Sequence, residues 1–151
     1  MDKKVRTTVT KTFNLESFEL EPFTVDQTTE DATVKEINKC LFSIKNESEL
    51  VGYIYVGEAP SMKNIFDYAI IFSPELEIIN TKVLIYREKH GRQIGMKRWL
   101  KQFFGLVPGD TPELGTNVDG ITGATISAKS MTNAVRDVLS SVDVLKTSNQ
   151  I

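Results

Sequence analysis

The stretch from Cys40 to Tyr86 constrains the fold most, because it reads as a sheet along almost its whole length. Leu41 to Lys45 is one short apolar run. Leu50-Val51-Gly52-Tyr53-Ile54-Tyr55-Val56 is rich in β-branched and aromatic residues, and the polar Asn46-Glu47-Ser48-Glu49 between the two has hairpin-loop length. Gly57-Glu58-Ala59-Pro60-Ser61 is expected to break that strand. Phe66 to Phe72 is a nearly continuous apolar run, Ser73-Pro74-Glu75 turns the chain, and Ile78 to Tyr86 runs again. Four strands with short connections predict an antiparallel meander.

The flanks add helices. Val5, Val9 and Phe13 stand four apart with Lys3, Lys4, Arg6 and Lys11 between them, which predicts an amphipathic helix weakened by β-branched Thr and Val. Residues 14–23 alternate apolar and acidic positions, as an edge strand ending at Pro22 would. Residues 24–39 are polar and mixed, with a short helix expected over 31–39. After Tyr86 a charged loop with two glycines leads into a compact helix. Met96, Trp99, Leu100 and Phe103 share one face of it, Lys97, Arg98 and Lys101 the other, and Gly105 is its stop. Residues 106–118 form a loop punctuated by Pro and Gly. The last helix carries Met131, Ala134, Val135, Val138, Val142 and Leu145 at i, i+3, i+4, i+7 spacing. The fold class expected is α+β: an antiparallel sheet, open or curled as far as a half barrel, with flanking helices packed on one side. A chain of 151 residues suggests a single domain, with a helical or irregular segment over 1–39 and the body of the domain over 40–145.

Composition narrows the function. The net charge is −2 and the pI near 5.5, so there is no basic footprint for nucleic acid. One cysteine, Cys40, and one histidine, His90, exclude an internal disulfide and any cysteine- or histidine-cluster metal site. Cys40 borders an apolar run and reads as an inert core thiol; His90 reads as exposed. No stretch is apolar long enough to span a bilayer and no hydrophobic region follows Met1. That leaves a cytoplasmic protein, or one whose targeting segment is not in this chain.

The candidate site lies directly before the last helix, in Asp119-Gly120-Ile121-Thr122-Gly123-Ala124-Thr125-Ile126-Ser127. A turn of nearly bare backbone delivers Thr125 to the first helical turn, where unpaired N–H groups and the positive end of the macrodipole favour an anion. Two readings stay open. In one, Thr125 or Ser127 is only an N-cap. In the other, the turn is a phosphate site; the helix end alone contributes roughly 0.3–1 kcal/mol, too little to retain a cofactor.

Asp119-Gly120-Ile121-Thr122-Gly123-Ala124-Thr125 resembles the flavinylation motif Asp-x-x-Ser/Thr-Gly-Ala-Thr of the FMN-binding domain family. Its members include flavinylated subunits of the sodium-translocating NADH:quinone oxidoreductase and of the Rnf complex. By average residue usage, roughly one chain of this length in a few thousand carries the pattern by chance. The resemblance runs from about Gly52 to Leu139, through Val83-Leu84-Ile85-Tyr86-Arg87-Glu88, Gly91 and Lys97-Arg98-Trp99-Leu100-Lys101-Gln102-Phe103-Phe104-Gly105. In the glycine loop many members read Glu-Thr-Pro-Gly-Leu-Gly; of Glu88-Lys89-His90-Gly91-Arg92-Gln93 only Glu88 and Gly91 match.

The resemblance implies that Thr125 is esterified to the phosphate of FMN by a separate, magnesium-dependent flavin transferase that consumes FAD. Asp119, Gly120, Thr122, Gly123, Ala124 and Ile126 would then frame the attachment site, with Glu88 and Gly91 in the loop near the flavin. Trp99 reads either as a core residue or as a ring contact, and Arg98 either as part of a solvated basic face or as an offset to the charge of the reduced flavin. A threonine hydroxyl needs a base or metal to act as a nucleophile, and the motif holds one ionisable group, Asp119. The chain therefore reads as the transferase's substrate, with no catalytic or metal-binding residues of its own and Asp119 a recognition or turn-setting residue. The implied role is electron transfer outside the cytoplasmic membrane, with membrane-associated redox partners, and protein made without the transferase is expected to be apo. A small flavin-dependent reductase acting on a soluble acceptor, and a non-redox binding domain with a capped turn at the motif, are the alternatives.

Overall fold

A computed structural model describes residues 2–24, 37 and 39–151. The short helix expected over 31–39 lies outside them but for Ile37 and Lys39. Helix α1 (Asp2–Phe13) forms as its spacing predicts, with Val5 and Val9 buried against the sheet. Its threonines are accommodated because Thr7, Thr8 and Thr12 each donate a hydroxyl to the carbonyl four residues back.

Five strands follow in an antiparallel meander: β1 (Glu19–Pro22), β2 (Leu41–Asn46), β3 (Glu49–Pro60), β4 (Ile65–Phe72) and β5 (Ile78–Ile85). They lie in chain order, so β1 and β5 are edges and the sheet is open rather than a closed barrel. The β2–β3 connection is tighter than expected. Asn46 pairs with Glu49, and only Glu47 and Ser48 turn, both with positive φ as a two-residue hairpin requires.

The strand break expected at 57–61 comes later, because β3 continues to Pro60, opposite Ile65. Gly57 is a packing residue instead. A Cβ there would stand 2.7 Å from the Tyr68 hydroxyl and 2.9 Å from the Tyr55 ring, so its bareness admits both rings.

Strand β4 explains the fold. Phe66, Tyr68, Ile70 and Phe72 face one cluster; Ala69 and Ile71 face the other, and nearly the whole strand is buried. Helices thus cover both faces, not one as the pattern suggested. Helix α1 closes the second face, while the first is closed by the last helix, α3 (Thr125–Thr147), and by a short helical segment. Met131, Val135, Val138, Val142 and Leu145 of the expected stripe are buried, and Ala134 is half-buried. Fully burying side chains such as Phe66 and Phe72 stabilises by about 1.5–3 kcal/mol each.

The compact helix expected over 96–103 is broken into a 3₁₀ turn (Arg92–Gly95), helix α2 (Lys97–Leu100) and a second 3₁₀ turn (Lys101–Phe103). Met96, between the first two, is extended, so the helical period restarts there. Its side chain is exposed, whereas Trp99, Leu100 and Phe103 are buried as read. Gly105, with φ +90°, ends the segment, and Gly105 and Ile78 are joined there by backbone hydrogen bonds, as are Ile78 and Leu106. Cys40 sits in a turn and is half-buried, not in the core.

Candidate functional site

The segment 119–127 is held at both ends. At its start the Trp99 indole N–H donates to the Asp119 carbonyl at 2.6 Å. Gln102 accepts the Asp119 amide at 2.8 Å and donates to its carbonyl at 3.4 Å. The backbone of Asp119 therefore sets the turn, and its carboxylate is left exposed. The chain then turns through Gly123, with φ +84°, as the Ala124 amide bonds to the Ile121 carbonyl. Ala124, buried against the core, is the N-cap residue of α3.

That helix start has no side-chain cap and no acidic residue in its first turn. The simple N-cap reading of Thr125 or Ser127 is thereby overturned. The amides of Thr125, Ile126 and Ser127 have no acceptor among the described residues, since the first helical bond is that of Ala128 to the Ala124 carbonyl. Thr125 is exposed and its hydroxyl has no hydrogen-bond partner among the described residues.

Ser127 is buried and turned aside. Its Oγ stands 2.9 Å from the hydroxyl of Tyr86, the residue after β5. The Tyr86 hydroxyl donates to the His90 carbonyl at 2.9 Å. Its one proton is spent there, so Ser127 must donate to Tyr86. Gly91 closes this clamp with φ +86°; a Cβ on it would stand 2.5 Å from the Tyr86 hydroxyl and 3.5 Å from the Ala124 Cβ. Only glycine combines that conformation with that approach.

Facing the helix start is the β3–β4 turn. Glu88 ties this turn to the loop after β5, its Oε1 accepting the Lys63 amide at 3.0 Å. Oε2 is shut off from solvent and has no partner in hydrogen-bonding geometry. The Ser61 hydroxyl and then the backbone amides of residues 62–64 hold the Glu88 carboxyl below the usual carboxylate range. Arg87 pairs with the buried Asp67 carboxylate at 2.9 and 3.3 Å and donates to the Ile65 carbonyl at 3.1 Å. The hydrogen bond from Arg87 to Asp67 raises the Arg87 pKa further.

Between these walls lies a cleft of ≈ 780 Å³, lined by Met62–Asn64, Tyr86–Gly91 and Gly123–Ser127. Its size is that of a small-molecule site. Met62 and Ile126 are 68% and 50% exposed at its rim, which leaves apolar surface available to a ligand.

Of the residues read from sequence, the cleft gathers Glu88, Gly91, Gly123, Ala124, Thr125 and Ile126. Gly120, Thr122 and Asp119 are exposed in the loop leading to it and do not line it. Arg98 is exposed and away from the lining, and Trp99 is buried edge-on to Phe103 behind Asp119. Trp99 thus positions the motif backbone and offers no ring to the cleft. Sequence reasoning missed Met62, Lys63 and Asn64, and the roles of Tyr86 and Ser127. A single sequence gives no signal for the 62–64 turn, which reaches the site through strand pairing alone.

The FMN-binding domain family model matches residues 63–140, slightly more than half of the chain. The chain belongs to the FMN-binding domain family. The matched segment contains every cleft residue except Met62. No curated protein matches the chain. The residues fit the ligand that the family name specifies. A phosphate would find three unpaired amides at the helix start, and the bare Gly123, with nothing within 4 Å of a Cβ, leaves the approach open.

Proposed function

We propose that the protein is an electron carrier whose FMN is attached covalently, through a phosphoester to the Thr125 hydroxyl. The observation that carries this reading is the helix start itself: an exposed, unbonded Thr125 hydroxyl beside three amides without acceptors. A tail phosphate on Thr125 would stand among those amides and at the positive end of a helix of 23 residues. The electrostatic preference is modest, so a covalent bond is what retains the cofactor.

The ester is made by a separate flavin transferase that uses FAD and magnesium. The bond formed joins Thr125 Oγ to the FMN phosphorus; the bond broken is the pyrophosphate link to AMP, and the hydroxyl proton leaves to a base of the transferase. Among the described residues no carboxylate is free to act as that base at Thr125. Of the carboxylates nearby, Glu88 is committed to the 61–64 turn and Asp119 is outside the cleft. Asp119, exposed and unbonded through its carboxylate, is a contact for the transferase.

Once bound, FMN supplies the redox chemistry. The chain's own groups bind and orient it. The amides of 125–127 hold the phosphate, the Tyr86–Ser127–His90 clamp keeps the glycine loop against the helix, and Met62 and Ile126 shield apolar ring surface from water. The carboxylate and the phenol that line the cleft are already engaged, Glu88 with the Lys63 amide and Tyr86 with Ser127 and the His90 carbonyl, which favours a carrier over a reductase with its own substrate. The attachment makes functional sense outside the cytoplasmic membrane, where a free cofactor would diffuse away, with membrane-associated proteins as redox partners.

The test is intact mass after co-expression with a flavin transferase. The wild type should gain the mass of FMN less one water, and Thr125→Ala should stay at its apo mass with an unchanged fold. Labelling that survives Thr125→Ala would move the attachment elsewhere, with Thr122 next in line. A wild type left unmodified while a known acceptor is labelled refutes the proposal.

A further inference from the structure

The segment 87–101 has a charge unlike the rest of the chain. Arg87, Lys89, Arg92, Lys97, Arg98 and Lys101 stand against the single acid Glu88, in a chain whose net charge is −2. All six cations are exposed, and only Arg87 has an ion-pair partner among the described residues. The segment runs alongside the motif, joined to it at Ser127 through Tyr86 and at Asp119 through Trp99 and Gln102. A second hollow, of ≈ 440 Å³, adjoins the cleft, sharing Lys89, His90, Gly91 and Gly123 with it and ending at Met96.

Exposed apolar side chains concentrate in the same place. Met62, Met96 and Ile126 are among the most exposed large hydrophobic residues, and all three line one of these two hollows. Of the cations without an ion-pair partner among the described residues, Lys89 and Arg92 line these hollows and Lys97 directly follows Met96 in the chain. Exposed apolar groups beside such cations are the make-up of a docking face, with methionine and arginine enriched and a charged rim. A merely solvated basic face would not gather the exposed methionines as well.

We infer that this face docks a redox protein that presents an acidic surface. That the partner is a redox protein rests on the covalent-FMN reading; the docking face itself does not. The charge complementarity favours an acidic protein, and the apolar centre gives a short-lived complex the close contact that electron transfer needs. Such encounters are small, and their charges govern the association rate more than the affinity. The basic side of α1 is a different case. It lies on the opposite face of the sheet, and Lys4 and Arg6 are engaged with the Leu84 and Phe18 carbonyls.

The test uses the apo full chain, so it reads out whether or not flavin is installed. Poly-L-glutamate is titrated into isotopically labelled protein while backbone amide shifts are followed. Shifts should concentrate at 62–64, 87–101 and 119–127 and vanish in about 0.3 M salt. The triple variant Lys89→Glu/Lys97→Glu/Lys101→Glu should weaken binding by roughly tenfold or more, while Lys3→Glu/Lys11→Glu leaves it unchanged. Vesicles of phosphatidylcholine with about 30% phosphatidylglycerol should not sediment the protein. Shifts centred on α1, no shifts at all, or sedimentation through the same three lysines would each overturn the inference, the last in favour of a membrane face. Failure of the mass test with a positive titration would remove the flavin reading and leave the acidic partner.

Discussion

Replacing Gly91 by alanine should damage the site through one hydroxyl, and the size of the effect follows from the geometry. The residue sits at φ +86° with its missing Cβ 2.5 Å from the Tyr86 hydroxyl; the next neighbours are at 3.5 and 3.6 Å, ordinary contacts. An L-residue in the left-handed region costs roughly 1–2 kcal/mol. Displacing the hydroxyl breaks its bonds to the His90 carbonyl and Ser127 Oγ, each worth about 0.5–1.5 kcal/mol. Gly91→Ala should therefore cost about 2–5 kcal/mol. Tyr86→Phe removes the same two bonds and should cost about 1–3 kcal/mol.

In the double variant the obstructing hydroxyl is already gone, so alanine adds only backbone strain. The two changes should fall short of additivity by about 1–3 kcal/mol, within the range for directly coupled neighbours. Urea unfolding of the wild type, both single variants and the double variant measures the coupling, and for a chain of this size each kcal/mol also moves Tm by roughly 2–4 °C. Strict additivity would refute the clamp, because it would mean that residue 91 and the Tyr86 hydroxyl do not meet.

Trp99→Phe keeps the edge-on ring against Phe103 but loses the indole bond to Asp119, so it should cost about 1 kcal/mol in urea unfolding and slow flavin transfer without changing the final mass. Glu88→Gln tests a pH dependence. The folded-state pKa of Glu88 is depressed, so its contribution is fully present above the ordinary glutamate value of about 4.3 and is lost as pH falls through the lower folded value. The Tm difference between wild type and Glu88→Gln should be clear at neutral pH and close in strong acid; a difference that grows on acidification would contradict the depressed pKa.

How much of this could be read beforehand depended on whether the signal was local. The meander was legible because Leu50–Val56, Phe66–Phe72 and Ile78–Tyr86 carry their own strand pattern, and α3 because its apolar stripe keeps one period from Met131 to Leu145. What the pattern could not say is that β4 is covered on both faces. An apolar run is equally consistent with a strand in one layer of core or between two, and only the docking of α1 decides. Gly57 and Met96 misled for opposite reasons. Gly57 looks like a breaker but makes room for Tyr55 and Tyr68 across the sheet, whereas Met96 fits a helical face that an extended residue interrupts. In the site, Thr125, the proposed attachment residue, and the glycines before it were legible as a contiguous motif. The wall at Met62–Asn64 was not, because it is brought in by the pairing of β3 with β4 and pinned by Glu88, a residue 25 positions away from Lys63.

The uncapped start of α3 is the point at which stability and function pull apart. A Ser, Thr, Asn or Asp cap in place of Ala124 would stabilise the helix by about 0.5–2 kcal/mol. Two hydroxyls follow Ala124 within three residues, yet Thr125 is left free and Ser127 is drawn to Tyr86. The helix tolerates this because its stability comes from elsewhere: Met131, Val135, Val138, Leu139, Val142 and Leu145 are buried against the sheet. A polar side chain at the cap would occupy the amides that the proposed phosphate would use. The clamp at Tyr86 removes the one buried hydroxyl that could have competed for those amides. The consequence is a helix end whose first amides stay free, so that on the proposed reading a bound phosphate would restore what the missing cap forgoes.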